Sequence, residues 1–200
     1  MRRLADLLAE LGIAATAEQL ARFKIHFDLL QRWNAKINLT SVRDPEEILR
    51  RHFVESAYLT KVLPLGPGKL IDVGSGGGFP GIPVKILAPD TEVVLVESVQ
   101  KKATFLKEVA RAIGLPALSV FAGRLEDLAP ANADWLTMRA VRLDKQLLTA
   151  LRRHVPRGTI ALFLGADEAR RVGGVAIHPI PGADRRVIAV AECSTWNILN

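Results

Sequence analysis

The sequence predicts an α/β fold, with a helical stretch over residues 1–66 and a mostly parallel seven-stranded sheet over residues 67–200, covered by helices on both faces. Three observations carry this. From Lys69 onward, short apolar runs rich in β-branched residues alternate with helical stretches, the pattern of parallel strands joined by crossover helices. A cluster of glycines directly follows the first of these runs. Before Pro64, apolar residues recur at helical spacing behind two helix-start signals.

Thr16 with Gln19 makes a capping box, and Leu20, Phe23, Phe27 and Leu30 follow at near-helical spacing. Trp33 extends the stripe and reads as core packing rather than base stacking. A polar break runs from Asn34 to Thr40. Asp44 caps the next helix, Pro45 suits its first position and Glu47 completes a second box, with Ile48, Leu49, Phe53, Leu59 and Val62 as the apolar face. Pro64, Gly66, Pro67 and Gly68 then punctuate the chain and mark the expected domain boundary.

Beyond it, strands are expected at 69–73, 92–97, 118–121, 135–138 and 159–164. Ile82, Val84, Ile86 and Leu87 suit a short helix. An amphipathic helix over 101–113 presents Thr104, Phe105, Val109 and Ile113, and another helix is expected over 144–154. Val175–His178 and Arg186–Val190 are expected to close the sheet as a hairpin.

The chain has 200 residues, 49% hydrophobic and 24% charged, ordinary values for a soluble globular protein. Mean hydropathy is +0.18, but there is no apolar run of membrane-spanning length, and Asp6 and Glu10 interrupt any signal-peptide core. A cytoplasmic protein without a membrane partner is therefore expected. One cysteine, Cys193, excludes an internal disulfide, and four scattered histidines argue against a structural metal site. The net charge is +6 and the isoelectric point about 9.8, so a polyanion such as nucleic acid is a reasonable partner. Residues 1–68 hold 10 basic and 8 acidic side chains, residues 69–138 hold 7 and 8, and residues 139–200 hold 10 and 5. The excess thus flanks a nearly neutral centre. Doublets at Arg50-Arg51, Arg152-Arg153, Arg170-Arg171 and Arg185-Arg186 are candidates for phosphate contacts.

The informative segment is Asp72-Val-Gly-Ser-Gly-Gly-Gly-Phe-Pro-Gly81, which holds five of the fifteen glycines. At the carboxyl end of the first strand of a doubly wound sheet, such a turn lies where cofactors bind. A Walker phosphate loop fails, because Ile82-Pro83 follows Gly81 where Lys-Ser/Thr is required. A dinucleotide fingerprint fits Gly76, Gly78 and Gly81 with Glu97 downstream, but Pro80 and Pro83 are expected to disturb the helix start that would hold a pyrophosphate. The third pattern is Asp72, Gly74, Gly76 and Gly78, with Glu97 ending the second strand. It suits S-adenosylmethionine, whose ribose diol seeks a carboxylate and which carries no pyrophosphate. A nicotinamide-dependent reductase and an RNA-binding module that holds the cofactor without turnover remain the alternatives.

Four stretches in order, WNAKINLTSVRDPEEILRRHFVES from Trp33, VGSGGGFPGIP from Val73, RLEDL from Arg124 and MRAV from Met138, resemble the glucose-inhibited division protein B family of small-subunit ribosomal RNA methyltransferases. The resemblance spans roughly residues 30–165. It implies a Rossmann-like methyltransferase sheet under a helical N-terminal cap. It also implies methylation of guanine N7 in 16S ribosomal RNA of the small subunit with S-adenosylmethionine, by a protein expected to be a monomer. On matching positions it implies cofactor contacts at Gly74, Phe79, Leu125, Glu126 and Arg139, with Glu97 holding the ribose, and the glycine pattern adds Gly76 and Gly78. Asn34, Lys36, Asn38, Thr40, Arg43 and His52 match a polar N-terminal face near the reaction site, and with the Arg50-Arg51 doublet they make the candidate RNA-binding surface. Arg139 and His52 are the candidates for positioning guanine. Two departures stand out: Leu164 precedes Gly165 where the family often has lysine, and Glu55 stands where aspartate is common.

The residues suit this chemistry. Guanine N7 attacks with a free lone pair and loses no proton, so orientation matters more than a base. Pyrimidine C5 methylation needs a cysteine nucleophile, and Cys193 lies in a tail without landmarks. Where adenine N6 enzymes carry Asn-Pro-Pro-aromatic, this chain reads Met138-Arg-Ala-Val141. Arg139 could hold a cofactor carboxylate or guanine O6, or simply pair with Asp144 or Glu126.

Overall fold

Helices occupy most of the chain up to Val62: α1 (Arg2–Glu10), α2 (Ala17–Asn34), α3 (Pro45–Ile48), a wide π turn (Leu49–Val54) and α4 (Glu55–Val62). The computed structural model describes residues 1–140, 145–172, 174–194 and 196. The capping box of α2 forms, with Thr16 and Gln19 exchanging side-chain to backbone bonds of 2.9 and 3.2 Å. At α3, Asp44 accepts from the Glu47 amide at 2.8 Å. The second half of that box gives way to an ion pair, because the Glu47 carboxylate turns toward Arg51. Neither α1 nor the π turn is signalled by capping residues.

The strands are β1 (Gly68–Val73), β2 (Thr91–Val96), β3 (Leu118–Phe121), β4 (Trp135–Arg139), β5 (Thr159–Gly165), β6 (Ala176–Pro179) and β7 (Arg186–Glu192). They form one sheet in the order β3-β2-β1-β4-β5-β7-β6. The first five are parallel, and β7 inserts antiparallel between β5 and β6. Strand order reverses between β1 and β4, which opens a crevice above their carboxyl ends. Between strands run α5 (Gly81–Leu87), α6 (Gln100–Ile113), α7 (Lys145–His154) and α8 (Ala166–Val172). Thr104, expected on the apolar face of α6, is exposed and bonds back to the Gln100 carbonyl. It sits next to the buried stripe Ala103, Phe105, Leu106, Val109 and Ile113, one step off its face.

Alternation along the strands separates two cores. Leu70, Leu95, Trp135 and Phe163 face the N-terminal helices and meet Phe23, Phe53, Leu59 and Ile82. Ile71, Val96, Leu136 and Leu162 face the other way, toward Leu147 and Leu151 of α7, Cys193 and Trp196. The first core is continuous from Leu4 in α1 to Ile188 in β7, so apolar packing runs past residues 64–68. Each fully buried Phe in it contributes roughly 1.5–3 kcal/mol by removal from water. Among the described residues, no helix is long and apolar enough to cross a membrane.

Candidate functional site

The glycine loop leaves β1 at its carboxyl end and is folded by its own backbone. The Gly74 and Ser75 amides donate to the Val96 carbonyl, which closes the loop on β2, and the Gly78 and Phe79 amides donate to the Ser75 carbonyl. Gly74, Gly76 and Gly78 have φ of 70°, 54° and 87°, a region that favours glycine. A Cβ on Gly78 would overlap Ile82 Cδ1, whereas one on Gly76 would meet nothing nearer than the Gly74 carbonyl at 3.7 Å. Gly76 therefore presents an open wall, and Gly78 a packed one.

Glu97 closes this loop from β2. Its carboxylate accepts from the Gly76 amide at 2.9 Å and from the Val99 amide at 2.8 Å. Only 5% of the residue is exposed, yet it faces the crevice. Asp72 lies beneath, fully buried, and accepts from the Gly81 amide at 3.1 Å. Burial pushes its pKa up to about 7, against the opposing pull of the nearby Ser75 hydroxyl and of the bond from the Gly81 amide.

The prolines do not prevent a helix, which corrects the expectation for Pro80 and Pro83. α5 starts at Gly81 with Pro83 in its first turn, where proline is tolerated. The donors a pyrophosphate needs are nevertheless spent. The Gly81 amide goes to Asp72, those of Ile82 and Val84 go to the Gly78 and Pro80 carbonyls, and Pro83 has none. The dinucleotide pattern thus lacks its anion site.

The cap supplies the facing wall. The Asn34 side chain accepts from the Leu39 and Thr40 amides at 2.9 and 3.0 Å and donates to the Thr40 carbonyl at 3.1 Å, pinning the polar break into a fixed loop. Arg43 braces it through the Asn34 carbonyl at 3.1 Å. Thr40 Oγ1 lies 2.6 Å from His52 Nε2. The His52 ring stacks on Phe79 and Phe79 on His26, whose Nε2–H donates to the Gly77 carbonyl at 2.8 Å. Burial, then the charges of Arg139 and Arg51, hold the His52 pKa down to about 3, and burial holds that of His26 near 4.

Together these elements enclose a cleft of about 310 Å³ lined by Thr40, Ser41, His52, Gly74, Gly76, Phe79, Glu97, Lys102 and Arg139. Arg139 extends from β4, with Cζ 5.7 Å from the Phe163 ring centroid. Its carboxylate partner is Glu55, at 3.2 Å, rather than Glu126; Asp144 lies outside the described residues.

The cleft brings together Gly74, Gly76, Phe79, Glu97, Arg139, Thr40 and His52 of the expected residues. Gly78, Leu125 and Glu126 are not in its lining. Gly78 packs behind the loop, Leu125 is buried in the second core, and Glu126 is exposed on a 3-10 turn (Leu125–Asp127). Asn34 is buried as a loop clamp instead of being presented to a partner, while Lys36 and Asn38 are exposed. Arg50 and Arg51 line a separate groove of about 430 Å³ and pair with Glu46 and Glu47. Ser41 and Lys102 line the cleft without a prior signal, since isolated polar residues in a loop and on a helix carry no spacing. Cys193 is buried against the opposite sheet face, where burial raises its pKa, so no nucleophilic thiol reaches the cleft.

The family model described as "GidB: rRNA small subunit methyltransferase G" matches residues 19–172. The chain is 41% identical over 170 residues to "Ribosomal RNA small subunit methyltransferase G" of Geobacter sp. (strain M21), covering 83% of this chain and 78% of that one. It is 36% identical over 180 residues to the protein of that name from Bordetella avium (strain 197N), covering 87% and 80%. Among solved structures, it resembles a SAM dependent methyltransferase from Aquifex aeolicus with TM-score 0.58 at 16% identity, covering 74% of this chain and 93% of that one. The last likeness shows the fold, a methyltransferase sheet. The family match and the two curated relatives establish that the chain belongs to the rRNA small subunit methyltransferase G family.

Proposed function

We propose that this protein transfers a methyl group from S-adenosylmethionine to N7 of a guanine in 16S ribosomal RNA of the small ribosomal subunit. The observation that carries the reading is the cleft at the strand-order reversal, walled by the glycine loop and Glu97 on one side and by Thr40 and His52 of the N-terminal helices on the other. The residues suit the cofactor. Gly76 leaves a wall without a side chain, and Glu97 keeps lone pairs beyond the two amides it accepts. Val99, 47% exposed beside Glu97, offers apolar surface for a purine. Arg139 Nη1 is buried with its hydrogens unspent, a donor for a carboxylate. The turn carrying Leu125 and Glu126 stands along the same carboxyl edge and completes the cofactor site in this reading.

When bound, the cofactor supplies an electrophilic methyl group on a sulfonium. The protein's part is placement. Guanine N7 has no proton to lose, so no residue must act as base, and His52, held neutral, presents a flat apolar face and a polar edge. The stack through Phe79 and the clamp of Asn34 keep the two walls at fixed separation. In this reading residues 1–66 are the RNA-facing cap and residues 67–200 the methyl-transfer domain of a cytoplasmic monomer. Lys36, Asn38, Arg43, Arg50 and Arg51 contribute phosphate contacts.

The test is transfer of radiolabel from the cofactor to purified small subunits or naked 16S RNA. Label at guanine N7, located by borohydride and aniline cleavage, is expected. RNA without label, or label on another atom, would overturn the reading.

A further inference from the structure

A buried carboxylate is costly unless paired, and Glu55 carries one at the start of α4, with 4% of its side chain exposed. It meets two guanidinium groups. Arg186, at the start of β7, donates Nε and Nη2 to Oε1 at 2.9 and 2.7 Å. Arg139 donates Nη2 to Oε2 at 3.2 Å. The same Nη2 also donates to the Arg51 carbonyl at 2.6 Å. Both Nη2 hydrogens are therefore spent on acceptors four residues apart, one in the π turn and one directly after it. Two fixed acceptors on one planar nitrogen set the rotation of the whole guanidinium group.

That rotation decides what Arg139 can offer. Its Nη1 is left buried without an acceptor. Arg139 lines the cleft, whereas Glu55 lines the neighbouring groove. Glu55 is thus one residue removed from anything held in the cleft.

We infer that Glu55 is a positioning residue for methyl transfer, setting Arg139 in the cleft wall and acting on the reaction only through it. The inference rests on the methyltransferase reading above, in which Arg139 contacts cofactor or guanine. A core ion pair with no such role would affect stability alone. Arg186 occupies the other oxygen and keeps Glu55 from swinging toward solvent.

A double-mutant cycle tests this. Affinity for S-adenosylhomocysteine is measured by calorimetry, kcat and KM with RNA, and the thermal midpoint for the wild type, Glu55→Gln, Arg139→Ala and the double variant. Arg139→Ala is expected to lose cofactor affinity or kcat at least tenfold. Glu55→Gln is expected to lose about tenfold in the same parameter, a mid-range coupling for contacting groups. The double variant should be no worse than Arg139→Ala. Glu55→Asp, which keeps the charge, should recover most of the loss. Additive losses in the double variant, wild-type kinetics in Glu55→Gln, or no recovery in Glu55→Asp would each overturn the inference. If Arg139→Ala is itself silent, the fault lies with the role given to Arg139 in the methyltransferase reading. Should Glu55→Gln fail to fold in buffer, the same cycle in trimethylamine N-oxide, which favours the compact state, decides between coupled and additive losses.

Discussion

His52 and Phe79 stack with ring centroids 5.0 Å apart and planes inclined by 26°, so the N-terminal helices meet the glycine loop through two aromatic faces. His26 stacks on the same Phe79 at 4.9 Å. Three rings from α2, the loop and the π turn thus set the width of the cleft. Because burial keeps His52 neutral down to about pH 3, its contribution is shape and a hydrogen bond rather than charge.

Replacing His52 by Gln should therefore lower kcat by about ten- to a hundredfold through misplacement of the reacting groups. The loss should be the same factor at every pH from about 5.5 to about 8, the range in which an ordinary histidine titrates. A pH–rate profile with an inflection near 6.5 that disappears in the variant would show that the ring titrates during turnover.

Two glycines two residues apart should respond differently. Gly76→Ala places a methyl group in the cleft and should weaken cofactor binding, with a strain cost of about 1 kcal/mol from its φ of 54°. Gly78→Ala drives a methyl group into Ile82 and should destabilise the fold by about 1–3 kcal/mol. Calorimetric titration and denaturant unfolding separate the two. Equal effects on both measurements would mean the loop responds as one unit.

Removal of the Glu97 carboxylate should cost roughly 1–3 kcal/mol of affinity for S-adenosylhomocysteine, the range of a hydrogen bond to a charged group. It also frees the Gly76 and Val99 amides, so hydrogen exchange at both should accelerate in Glu97→Ala even without ligand. Unchanged exchange would mean the loop holds its form without this anchor.

Asp72 gives a pH signature. Its pKa is about 7 in the folded chain and near 3.8 in an unfolded one, so between these values the folded state holds a proton the unfolded state has lost. Stability from this group is complete below pH 3.8 and is lost as pH rises toward 7, on the order of 4 kcal/mol in all. His26 and His52 act in the opposite direction, since both are neutral when folded and an unfolded histidine protonates below about 6.5. Asp72→Asn should thus gain on the wild type from about pH 4 to about pH 7, the window of the Asp72 shift. Urea unfolding at both ends checks this, and a constant difference would show Asp72 to be ionised throughout.

The strand positions are legible because short apolar runs rich in β-branched residues, such as Thr91–Val96, are bounded by turns. The glycine loop with Glu97 was legible for the same local reason. What stayed hidden depends on contacts distant in sequence. Arg139 is held by Glu55, 84 residues away, and Glu55 by Arg186, 131 away. Asn34 reads as a polar surface residue until its loop folds back on it. His26, in an apolar stripe, gains its role only from the Gly77 carbonyl, 51 residues on.

The wide turn at Leu49–Val54 gives up regular helical bonding where His52 enters the cleft wall. The Glu55 amide reaches back five residues to the Arg50 carbonyl, so this stretch carries one residue more than a regular helix requires. Removing one residue would let α3 and α4 run as a single continuous helix with better backbone bonding. A deletion between His52 and Glu55 would also turn the two by about 100° relative to each other, the angle of one helical step. Regular helical bonding and the present cleft therefore make opposite demands on this one turn. A stability-driven redesign that irons it out should yield a protein that melts later and methylates poorly.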